Sequence, residues 1–375
     1  MAMNMTSRQR LLTALRRGTP DRVPVTAYEF SHLNDTRPRD EPGYAALIKL
    51  QRELGETFVF HYADFGLGVG ESEVLTEGPA DLDKPQRRTV TLHTPKGDLV
   101  AISRRDPGNI TWWQIKAFCA TPEDCRKWLS CPTRPFTPDV SGVLRIQREL
   151  GEEGLPVVGC GDVLIHVCGL FHYDDFALTL LDDEGLILAM MDAVHERLAR
   201  GLRAVAPLLK DVCFRLAGPE YAGAPLLNPR RHFPKLVVDY CRDLIPIIND
   251  SGNYSLIHCH GLLRDLLDYF IELAPTALEP LEVLPAGTAD VTMAELKARL
   301  GGRMCLMGGI QANELEHLPL TELDARLREV IATAAAGGGY VMLPTSAPIE
   351  YPLHPRLVER YRMYFEAAHK YGRYA

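Results

Sequence analysis

"SGNYSLIHCHGLLRDL", residues 251–266, holds a short apolar run that ends in two histidines flanking a cysteine and then passes through Gly261 into a helical pattern. A strand that ends in polar residues and leads directly into a helix is the repeating unit of a parallel α/β fold. The same signature recurs along the chain from about residue 155. The runs are "LPVVGCGDVL", "DVCFRLAG", "YSLIHCHG", "TALEPLE", "RMCLMGG" and "GGYVMLP". Amphipathic stretches such as "GLILAMMDAVHERLARGLRAVAPLL" and "LVVDYCRDLIPIIND" lie between them. This alternation predicts parallel strands joined by crossover helices, as a doubly wound sheet or an eight-stranded barrel. The barrel is favoured because polar residues gather at the C-terminal edges of the runs: Asp162, Glu220, His258 with His260, Glu282, Gln311 and Ser346. In a barrel those edges converge on one mouth, where active sites are built. No G-x-G-x-x-G or P-loop pattern follows a strand, so the commonest doubly wound cofactor signals are missing.

The expected architecture is a TIM (β/α)8 barrel over 1–375, in which residues 1–150 form an N-terminal part and 151–375 the main series of β/α units. The N-terminal part is predicted to hold a helix from Thr6 or Ser7, a short strand at Val23 to Thr26 and a helix over 43–53. A hairpin is expected in "RTVTLHTPKGDLVAISRR", turning at Thr94-Pro95-Lys96-Gly97. A net charge of -8 argues against nucleic acid or an anionic membrane as the main partner. Nine scattered cysteines with no C-x-x-C pair suit reduced thiols in the cytoplasm. No apolar run approaches the roughly 18 residues of a membrane span. The Arg-rich start of the chain has the composition of a transit peptide, but Leu11, Leu12 and Leu15 equally suit one face of an ordinary helix.

On a strand, His258 and His260 share a face while Cys259 points to the other. Two imidazoles can hold a divalent metal if a third ligand arrives from another strand, and Glu220, Glu282 and Asp162 are the available carboxylates. Structural histidines or plain substrate contacts would give the same spacing. Glu220 in "AGPEYAGAP" suits a metal ligand or general base, with Tyr221 as a donor to developing negative charge. Strand parity puts Glu279 and Glu282 on opposite faces, and Glu282 is preferred as the residue nearer the strand end. A second H-x-C pattern, His166 to Cys168 with His172 beyond, lies in an apolar setting that favours buried structural roles.

"RQRLLTALRRGTPDRVPV", "SGNYSLIHCHG", "TALEPLEVLPAG", "RMCLMGGIQ" and "GGGYVMLPTSAP" together resemble successive landmarks of the uroporphyrinogen decarboxylase superfamily, which includes cobalamin-dependent methyltransferases. The resemblance spans nearly the whole chain and implies a TIM barrel. Its decarboxylase branch carries an R-Q-A-G-R-Y motif, whereas this chain reads "TAYEFSHLNDTRPRD" after Val25; Asp64 in "HYADFG" falls near the position of the branch's pyrrole-contacting aspartate. The methyltransferase branch holds zinc with an H-x-C pair and a later cysteine. Here His258 falls on the histidine, His260 on the first cysteine and Ser346 on the later cysteine. The resemblance therefore implies a harder site, with His258, His260 and Glu220 or Glu282 on a divalent metal, zinc by analogy.

The expected function is metal-assisted methyl transfer from a small methylated substrate to a corrinoid protein. Glu220, Tyr221, Asp162 and Asp64 would be catalytic, and Gln311 and Ser346 would contact substrate. No D-x-H-x-x-G corrinoid motif occurs in this chain, so a partner would supply that cofactor. Family members are often homodimers, which is analogy. The alternatives are metal-independent decarboxylation of an aromatic or tetrapyrrole-like acid, and a non-catalytic ligand-binding barrel.

Overall fold

Seven apolar runs lie side by side as one parallel sheet in the computed structural model, which describes residues 5–33 and 37–374. In sheet order these are β1 (Thr57–His61), β6 (Gly154–Gly159), β7 (Cys213–Ala217), β8 (Tyr254–His258), β9 (Ala277–Leu281), β10 (Cys305–Ile310) and β11 (Tyr340–Pro344). Every residue of β8 to β11 is buried, as expected of strands covered on both faces. Helices such as Glu184–Val205 and Leu320–Ala335 supply the outer cover. Alternate side chains pack in two layers. Phe60, Val157, Cys213, Leu256, Ala277, Met307 and Leu343 share one apolar cluster, while Val158, Phe214, Ile257, Leu278 and Leu306 belong to the larger cluster with the helices.

The expected eight-stranded closure is replaced by a TIM-like α/β arrangement whose sheet is not closed by continuous strand pairing. The predicted strand at Val23 to Thr26 makes only a single parallel bridge, Val25 with Met342. Thr26 N donates to Met342 O at 3.0 Å, Met342 N to Pro24 O at 2.8 Å, and Glu56 N to Val25 O at 2.8 Å. Pro24 has no N–H to give, and Val25 N donates to the Glu56 carboxylate rather than to a strand. Arg10 and Arg22 each donate to that carboxylate at 2.7 Å, and Gln51 Nε2 binds Thr26 Oγ1 and Glu56 O. Side chains thus stitch the position that a regular eighth strand would fill.

Strand β1 was not among the predicted elements, so the N-terminal half contributes directly to the main sheet. The hairpin at Thr94 to Gly97 belongs to a four-stranded antiparallel sheet, β2 (Glu71–Glu77), β3 (Gln86–His93), β4 (Leu99–Arg105) and β5 (Trp113–Lys116). Leu92 and Leu99 anchor it to the body, whereas β2 is exposed throughout. The first helix is Ser7–Leu15, and Thr6 closes a capping box with Gln9. No helix among the described residues is long and apolar enough to cross a membrane.

Candidate functional site

The parallel register dictates which polar side chains meet. Ala217 pairs with His258, and His258 with Glu279, so His258 and Glu279 point to the same side of the sheet. Arg215 lies two residues before Ala217 and shares that side. It is the inner side, above Phe60, Val157 and Leu256. An ionised residue inside an apolar strand must find a partner there.

Arg215 Nε donates to Glu279 Oε1 at 2.6 Å, and the Tyr28 hydroxyl donates to Glu279 Oε2. Burial alone would raise the Glu279 carboxyl, but the charge of Arg215 outweighs it and holds the group well below the usual carboxylate range. His258 is pushed down to about 4, chiefly by burial, and is neutral near pH 7. Its Nδ1 lies 2.6 Å from Arg215 Nη2 and 3.2 Å from Glu279 Oε1. One nitrogen cannot accept from arginine and donate to glutamate at once. The shorter arginine contact and the neutral ring favour Nδ1 as the acceptor. Arg215, Glu279, His258 and Tyr28 therefore form a buried network, in which His258 Nε2 also lies 3.1 Å from Arg215 Nη2.

A second layer lies beyond the strand ends. His260 Nδ1 is 2.8 Å from Glu282 Oε1, and Gly261 N donates to Glu282 Oε2 at 3.3 Å. The His260 side chain is 38% exposed, so this pair reaches solvent. Burial would lower the imidazole, but the hydrogen bond and charge of Glu282, with Glu220 and Glu279 nearby, raise it above its ordinary value. For Glu282 the burial effect is likewise overcome by His260, and its carboxyl is lowered. Glu220, just past β7, is raised mainly by burial, partly offset by Gly218 N–H and by the charge of His260. The His258 and His260 rings meet edge to face at 4.7 Å.

Asp162 caps the helix Val163–Cys168 through Ile165 N at 2.8 Å; its Oδ2 is buried without a hydrogen-bond partner among the described residues. Burial pushes this carboxyl well above its usual range, against the Ile165 N–H bond and with help from the charge of Glu220. Gly218 stands between them with φ +132°, and a Cβ there would lie 2.1 Å from Asp162 Oδ1. Tyr221 stacks on Tyr173 with ring centroids 5.9 Å apart. Gln311 Nε2 donates to Thr288 Oγ1 at 2.9 Å, and Thr288 also donates to Glu282.

Two predicted site residues stay outside this constellation. Asp64 is exposed and spends its carboxylate on a local turn, accepting from Gly66 N at 2.7 Å. Ser346 is exposed, with its hydroxyl on Ala347 O at 3.3 Å. The predicted metal set of His258, His260, Glu220 and Glu282 does not fit a metal as arranged. The Arg215 guanidinium occupies the face of His258, His260 is committed to Glu282, and no group of three or more His, Cys, Asp or Glu suited to an ion exists among the described residues. Arg215 and Tyr28 were not singled out as site residues; the signal for Arg215 was a charge inside the apolar run "DVCFRLAG". A cavity of about 650 Å³ lies away from the strand ends, beside His93, Pro95 and Arg134.

Fold and site together define an α/β protein with acid and base groups gathered at the C-terminal ends of its parallel strands. No family model matches the chain, and no curated protein matches it. Among solved structures it is similar to a methyltransferase from Methanosarcina mazei, with a TM-score of 0.60 over 98% of this chain and 99% of that chain at 13% identity. At that identity the likeness is one of fold.

Proposed function

We propose that this chain is a methyltransferase of the uroporphyrinogen decarboxylase superfamily, passing a methyl group from a small methylated compound to a corrinoid carried by a separate protein. The observation that carries this reading is the partly open His260–Glu282 pair at the strand ends, with Glu220 acting on it. Similarity in fold to a methyltransferase over the full length of both chains supports it.

Methyl transfer breaks the bond between the methyl carbon and its heteroatom, leaving the electron pair on the heteroatom. That leaving group must be protonated when it is a poor one, as an alkoxide or amide would be. His260 is suited to the task. Its Nδ1–H is held by Glu282, so in the protonated ring Nε2–H is the free donor, and Glu282 steadies the cation. Glu220, whose charge acts on His260, would return the proton to the imidazole. The acceptor supplies the electron pair that takes the methyl carbon. Arg215 is neutralised by Glu279, so it is poorly disposed to grip a substrate carboxylate as a decarboxylase would require.

The test is formation of methylcobalamin from cob(I)alamin, a stand-in acceptor, with a panel of aryl methyl ethers, alkyl methyl ethers and methylamines. Turnover that falls at least tenfold in His260→Ala supports the reading. Absence of methyl transfer across the panel, together with carbon dioxide release from aromatic acids, would replace it with decarboxylation.

A further inference from the structure

The antiparallel sheet does not sit flush on the body. Between it and the helix Val163–Cys168 lies a cleft of about 280 Å³ lined by Leu67, Val90, Leu92, Phe118, Trp128 and His166, with Ser72 at the rim. Such apolar clefts between structural layers, with few polar groups, are the common form of small-molecule sites. An apolar cavity of roughly 150 Å³ already admits benzene, so this space is ample for one or two fused rings. One wall is well held: the Arg197 guanidinium lies 5.2 Å from the Trp128 ring centroid.

His166 fixes the chemistry of the occupant. Burial lowers its pKa, so the ring is neutral near pH 7. Its Nε2 lies 2.7 Å from Cys160 O, and a carbonyl only accepts. Nε2 therefore carries the hydrogen and Nδ1 carries the lone pair. Nδ1 has no hydrogen-bond partner among the described residues, and the side chain is half-buried. The cleft thus offers apolar and aromatic walls and one imidazole acceptor.

We propose that this cleft is a second binding site, for a small flat molecule that is mostly apolar and bears one hydrogen-bond donor, of the phenol or indole class. None of its lining residues belongs to the His260, Glu282 and Glu220 group, so the proposal stands apart from the methyl-transfer reading.

Calorimetric titration of the full chain with phenol, indole and toluene, with no methyl acceptor present, tests it. Toluene has the size and shape of phenol but no donor and no methyl on a heteroatom. Phenol and indole are expected to bind saturably at one site, toluene about tenfold more weakly, the loss typical of one hydrogen bond. His166→Ala should remove the difference between phenol and toluene. Ser72→Trp, placed on an exposed strand where it cannot disturb the core, should block the rim and abolish binding even if the His166 variant fails to fold. His260→Ala should leave binding unchanged. No saturable binding of phenol or indole, equal affinities for phenol and toluene, or binding that survives Ser72→Trp would overturn the proposal and reduce the cleft to a packing gap.

Discussion

Arg215 of β7 and Glu279 of β9 form an ion pair at 2.6 Å across β8 on the inner face of the sheet, with Glu279 only 2% exposed. Removing one partner of a buried pair strands the other charge, which costs about 3–5 kcal/mol. Glu279→Ala is therefore expected to lose stability of that order in urea unfolding, and Arg215→Met likewise. Replacing both by apolar residues should cost less than either single change. The folded carboxyl is held far below its unfolded value near 4.5. Its contribution is thus present above that value and is lost as pH falls below it. Wild-type stability should drop from about pH 4.5 downward, and the double variant should show a flatter acid limb.

His260 gives the opposite sign. Its folded pKa is raised above 6.5 by Glu282 against the effect of burial. The stability it contributes is complete below 6.5 and is lost as pH rises through the folded value. NMR titration of the ring should place wild-type His260 above 6.5. In Glu282→Gln the anion is gone and burial prevails, so the value should fall toward or below 6.5. If His260 acts as the acid, the alkaline limb of methyl transfer should move to lower pH in that variant. An unchanged His260 titration in Glu282→Gln would sever the pair from any proton-transfer role.

The sheet was legible because its strands are buried on both faces and so appear as unbroken apolar runs: six of the seven coincide with runs visible in the sequence. The exception, β1 in "TFVFHY", lies in the half where hairpin alternation dominated the pattern. Backbone bonds tie residues 24–26 to Met342, but Val25 N and Ala27 N donate to the Glu56 and Gln51 side chains where a regular eighth strand would continue the ladder toward β1, and periodicity does not reveal that substitution. Strand parity separated Glu279 from Glu282 only on the assumption that the strand continued. It ends at Leu281, so Glu282 escapes the rule and meets His260. What His258 faces depends on register with β7, and register is invisible in a single strand's sequence.

Gly218 couples two carboxyls through backbone geometry. At φ +132° a side chain is strained, and a Cβ would collide with Asp162 Oδ1 at 2.1 Å. The same residue's N–H binds Glu220. Gly218→Ala should destabilise the fold by about 1–3 kcal/mol from backbone strain alone. It should also raise the NMR-measured pKa of Glu220 further if the N–H moves away, because that bond favours the ionised form. A neutral effect on both stability and Glu220 titration would mean that the β7 loop relaxes freely.

Metal content separates the donor arrangement seen here from the zinc chemistry that the sequence resemblance implies. Binding at His260 requires breaking its contact with Glu282 or sharing that carboxylate, and binding at His258 requires displacing the Arg215 guanidinium. Both steps expose a charge that is now compensated. Elemental analysis of untagged protein is therefore expected to give far less than one equivalent of zinc or another divalent ion, with no gain in melting temperature on adding zinc. Retention of one equivalent that is lost in a His258→Ala, His260→Ala double variant would show that Arg215 and Glu282 yield to a metal. The step assigned to the His260 proton would then have to be reassigned.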